Sequence, residues 1–150
     1  MRRPFKPHPD GVAVRLSSDE RQFLLGLPQL LAAVDAEPGD PAHVRLHVEA
    51  YPADPAAQLE MAEYSGSQLA EARTIDRARF VDSIESEVLT PDDAEAWLTV
   101  LGDSRLALAA RIGITDPGWE IGDEEDPERI TLGFLSYLQD QLVDVLMRRL

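Results

Sequence analysis

The chain has 150 residues, 44% of them hydrophobic, and a formal charge of −14 from 14 basic against 28 acidic side chains. That length suits one domain, and a domain of this size buries about two-thirds of its unfolded surface, so its core needs no metal or disulfide staple. The charge repels phosphate backbones and anionic lipid, which argues against direct binding to nucleic acid or to a membrane face. The absence of cysteine excludes disulfides, thiolate nucleophiles, Fe–S clusters and Cys-based zinc sites.

Basic residues open the chain, but no apolar segment follows them and no stretch is long enough to span a bilayer, so a cytoplasmic protein is expected. Pro4, Pro7, Pro9 and Gly11 predict an irregular arm over 1–11. Val12, Val14 and Leu16 alternate with Ala13 and Arg15 as in a short strand. Ser17 and Glu20 fit a capping box, and a first helix should run from there to about Glu37. Its inward stripe is Phe23, Leu24, Leu27, Leu30, Leu31 and Val34, with a kink or break at Gly26–Pro28.

A loop at Pro38–Pro41 precedes alternating Val44, Leu46 and Val48, which read as a strand beside Val12–Leu16 or as an irregular segment. Asp54 and Pro55 start a second helix that Gly66 ends. A third helix is expected over Ser67–Leu89, with Leu69, Ala72, Phe80, Ile84 and Val88 inward. On it, Arg73 with Asp76 and Arg79 with Asp82 are spaced for surface ion pairs.

Thr90 caps a fourth helix, Pro91 takes its first position, and Asp92 and Asp93 suit the positive end of its dipole. Trp97, Leu98, Leu101, Leu108 and Ile112 face inward, and Gly113 closes it. Residues 116–128 carry seven acids and no base, a solvated acidic loop. A fifth helix follows to Arg149. Its Leu135, Leu138, Leu142, Val145 and Arg149 form a seam that Phe134, Tyr137 and Leu146 widen. The expected fold is mainly α, a compact single-domain bundle of about five helices with at most two short N-terminal strands.

No catalytic constellation stands out. Gly-x-Ser-x-Gly, Gly-x-Gly-x-x-Gly and phosphate-loop patterns are absent, and Glu85 and Glu87 diverge on a helix. His43 and His47 lie four apart, but the alternation there argues against the helix that would bring them together. The acidic run lacks a calcium loop's glycine at the sixth position. No enzyme activity, metal or cofactor is therefore expected. Candidate partner-binding residues are Arg105 and Arg111, which interrupt the apolar fourth helix, the loop acids Asp123, Glu124, Glu125 and Asp126, and Tyr137 beside the seam. Such a surface suits a protein partner with a basic face. The alternative is a ligand- or metal-responsive domain that forms a homodimer through its C-terminal helix.

Four blocks, Leu16–Leu31, Asp40–Leu46 continuing to Ala50–Asp54, Leu89–Ile114 and Tyr137–Leu146, together resemble a family of actinobacterial proteins. These are encoded near the Clp adaptor ClpS and are named the actinomycete oxidative stress regulators. The resemblance implies a cytoplasmic regulator that acts by binding a stress sigma factor or a similar part of the transcription apparatus. Redox sensing in that family is tied to a cysteine pair, and this chain has no cysteine with which to run a thiol switch.

Overall fold

The computed structural model describes residues 3–50, 71–113 and 127–148. The expected second helix at Pro55–Ser65, Leu69, the acidic run through Asp126, and Arg149 lie outside the described residues. The architecture is mainly helical with one small antiparallel sheet, ordered β1-β2-β3.

The sheet begins where an irregular arm is expected. Phe5–His8 is a strand, β1, joined through Pro9-Asp10 to β2, Gly11–Val14. Phe5 pairs with Val14 and His8 with Gly11. The prolines are tolerated because β1 is an edge strand, where a missing N–H costs no ladder bond. Phe5 is buried while Lys6 and Pro7 are exposed, so the strand is anchored by a single ring.

Helix α1, Ser18–Leu24, carries the expected capping box: Ser17 Oγ accepts from Glu20 N (3.1 Å), and Ser17 N donates to Glu20 Oε1 (2.8 Å). It ends at Leu25, and α2, Leu27–Asp35, starts with Pro28 in its first turn, so the chain breaks where the proline predicts. Leu24, Leu27, Leu31 and Val34 are buried, Leu30 is half-buried and Phe23 is exposed.

Other expectations are overturned as well. The segment at Val44–Val48, expected as a strand or an irregular stretch, lies within helix α3, Pro41–Ala50. The reason is a start signal that outweighs three alternating residues. Asp40 Oδ1 accepts from Ala42 N (2.9 Å), the Asp40 carbonyl accepts from Val44 N, and Pro41 takes the first position. The third helix also stops early. Within the described residues helix α4 runs over 71–82, and Val88–Leu89 forms β3, paired with Ala13 and Val12. Phe80 and Ile84 are buried and Val88 half-buried as expected, but Ala72 is exposed.

The turn between α4 and β3 is held by a buried guanidinium. Arg21 Nη1 donates to the carbonyls of Ile84 (2.6 Å) and Ser86 (2.9 Å), and its Nε to that of Leu16 (3.3 Å). Helix α5, Pro91–Arg111, is the centre of the domain and touches α2, α3, α6 and the sheet. Alanines, Ser104 and Val100 fill the faces left by Trp97 and Leu101, so the helix is buried on more sides than one stripe would provide. Helix α6, Pro127–Arg148, lays Leu135, Leu138, Leu142 and Val145 onto this core. The seam is therefore filled from within the chain and is not a free face for a second copy.

The expected ion pairs along α4 are replaced by pairs between helices. Arg73 meets Asp103 of α5 (3.6 Å), Arg77 meets Asp35 of α2 (2.7 Å) and Arg79 meets Asp93 of α5 (3.3 Å). Burial pushes the Asp103 carboxyl above its ordinary 3.8, and Asp35 and Asp76 add to this against the opposing pull of Arg73 and Arg77. A raised folded value means that the ionised form costs stability above that value and that the cost fades as pH falls through it. Asp103→Asn should therefore raise Tm at neutral pH, and the gain should vanish below the ordinary carboxylate value. Thermal melts at both pH values check this; a lower Tm at neutral pH would show that the Arg73 pair outweighs desolvation.

Candidate functional site

Among the described residues, the candidate partner residues Arg105, Arg111 and Tyr137 have different surroundings. Arg105 is half-buried between α5 and α6, where its Nη1 donates to Gln139 Oε1 (3.2 Å). Arg111 ties the end of α5 to the start of α3, its Nε (3.0 Å) and Nη2 (2.8 Å) both donating to Asp40 Oδ2. That contact, with the Ala42 N–H, holds the Asp40 carboxyl below its usual range. Both arginines thus serve the fold. Asp123, Glu124, Glu125 and Asp126 lie outside the described residues. Tyr137 is different: it is 38% exposed and opens onto a cleft.

The cleft, about 610 Å³, lies between the β2–α1 junction, the end of β3 and one side of α6. Ala13, Leu16, Val88 and Leu138 supply apolar walls, and Arg15, Glu20 and Glu87 line it with charge. Glu20 is engaged in the α1 cap, and Arg21 in the carbonyls described above. Phe134 and Tyr137 form the α6 wall. Phe134 also meets the exposed Phe23 of α1 edge-to-face, with centroids 5.9 Å apart. Three aromatic side chains therefore gather beside one open cleft, an amphipathic surface of the kind protein interfaces favour.

Of this site the sequence marked only Tyr137 as partner-binding. In the sequence, Phe134 widens the α6 seam and Phe23 belongs to the inward stripe of the first helix. Arg15 and Glu87 carried no signal, because β3 pairing, which sets the sheet end here, joins segments more than 70 residues apart.

Metal binding gains no support from the histidines. Although His43 lies on a helix after all, its Nδ1 is 3.0 Å from the Val34 carbonyl. Among the described residues no three ligating side chains gather to hold a metal ion. Nor is any described helix long and apolar enough to cross a membrane.

The chain matches one family, described as Domain of unknown function (DUF2017), over residues 2–146. No curated protein and no solved structure matches it.

Proposed function

We infer that this chain, which belongs to the DUF2017 family, is a non-catalytic cytoplasmic regulator that works by binding a protein partner with a basic face. The observation that carries this reading is the aromatic-lined cleft at Tyr137 in a chain whose formal charge is −14. Exposed rings beside an apolar trough supply binding energy, and the net negative charge of the chain favours the approach of a basic protein. The resemblance to the actinomycete oxidative stress regulators supports a partner in the transcription apparatus, a stress sigma factor first among the candidates. Without cysteine, the chain would act as a constitutive binder or answer a signal other than thiol oxidation.

Affinity capture of the tagged chain from its own cell extract tests this, with Tyr137→Ala run beside it. Wild type should retain one basic protein that rising salt releases. Tyr137→Ala should lose it, with affinity down about tenfold or more, while its Tm stays close to wild type because the side chain is partly exposed. Equal capture by both proteins would move the interface away from the cleft.

A further inference from the structure

A second cavity, about 410 Å³, lies between β1 and the C-terminal half of α6. In an acidic protein its charge is reversed. Arg3, Lys6 and Arg148 line it, against Asp144, which pairs with Arg148 at 3.0 Å. Its floor is apolar, from Phe5, Pro7 and Val145.

Helix α6 contributes residues to both cavities. Tyr137 belongs to the first, and Gln141, Asp144 and Arg148 to the second. These four follow at steps of four, three and four residues, so they form one stripe along α6. On the opposite wall, Pro4 of the first cavity is followed directly by Phe5 of the second. The stripe from Tyr137 to Arg148 is about 16 Å long at 1.5 Å per residue, the reach of about five residues of extended peptide. Pro7 offers no N–H on the sheet edge, so a bound peptide would be held by side-chain recognition and not as an added strand.

We propose that the two cavities are one groove along α6 that takes an extended segment of the partner, with a basic side chain at the Tyr137–Glu87 end and acidic side chains at the Lys6–Arg148 end. This rests on the partner-binding reading and deepens it by giving the recognised segment a charge order. The rings of Phe134 and Tyr137 line that end for stacking on a cation. Glu20 is held in the α1 cap and Arg21 on its carbonyls, so Glu87 is balanced by Arg15, and the rings rather than net charge select the basic side chain. At the far end three cations face one carboxylate, leaving net positive charge for the segment's acids.

Selection of a phage-displayed random dodecapeptide library on the intact chain at physiological salt tests the proposal. The same selection on Tyr137→Ala and on the Lys6→Glu, Arg148→Glu double variant completes it. Wild type should enrich peptides with an Arg or Lys about four residues from an Asp or Glu. Tyr137→Ala should abolish that enrichment. The double variant should drop the acidic requirement and bind the wild-type peptides about tenfold more weakly. Lys6→Gln, on an exposed strand position, should weaken them a few-fold with the fold intact. Peptides that need Tyr137 but are untouched by the double variant would overturn the single groove while leaving the partner-binding reading in place. No enrichment, or enrichment that survives Tyr137→Ala, would overturn the groove, and the capture experiment would decide separately whether a partner exists.

Discussion

Trp97→Ala should cost about 3–5 kcal/mol, the largest loss expected from any single side chain here. The indole is fully buried. It packs edge-to-face on Phe5 with centroids 6.1 Å apart and lies against Phe80 at 4.9 Å. It thus joins β1, α4 and α5 in one aromatic cluster. Its Nε1–H donates to Ser83 Oγ (2.8 Å), and that hydroxyl in turn donates to the Arg79 carbonyl (2.6 Å). Alanine would remove both ring contacts and leave a cavity that the surrounding helices fill only in part. Trp97→Phe should be milder, about 1–2 kcal/mol, since it keeps a ring and leaves Ser83 its own acceptor. Urea unfolding followed by far-ultraviolet circular dichroism reads both, and an unchanged midpoint for Trp97→Ala would refute the central place of this cluster.

Gly11→Ala should be comparably severe, about 3 kcal/mol or more, for a backbone reason. Gly11 has a φ of +153°, and a Cβ built there would sit 1.8 Å from the Leu89 carbonyl oxygen. That oxygen belongs to β3, so relief of the clash requires β2 and β3 to part. Amide exchange at Val88 and Leu89 should quicken along with the loss of stability. Gly39→Ala is the control: no atom lies within 4 Å of its Cβ position, and the change should leave stability nearly unaltered. Equal effects from the two substitutions would mean that close approach does not set the cost at Gly11.

The contrast between what the chain announces and what it hides follows from range. Signals confined to one turn were legible: the Ser17–Glu20 box, the break before Pro28, and Thr90-Pro91 opening α5 are all present. Asp40-Pro41 carries the same signal as Thr90-Pro91, yet Val44, Leu46 and Val48 alternate over it. Three alternating apolar residues fit a strand and one side of a helix almost equally, and the cap decides. Strand β3 was illegible because two residues, Val88 and Leu89, form a strand only when Gly11–Val14 lies beside them. Ion pairing was misassigned for a related reason. Arg73 and Arg79 have acids three residues on, but Asp103 and Asp93, brought close by packing, compete for them. The cleft combines these failures: its aromatic wall is written in α6, while its other wall exists only once the sheet has closed.

Amide hydrogen exchange of the chain, with and without its captured partner, tests the central claim most directly. Partner binding at the cleft predicts slowed exchange at residues 13–17, 86–88 and 131–138, with α2 and α3 unchanged. Protection confined to α2 and α3, with the Tyr137 segment exchanging as in the free chain, would contradict it.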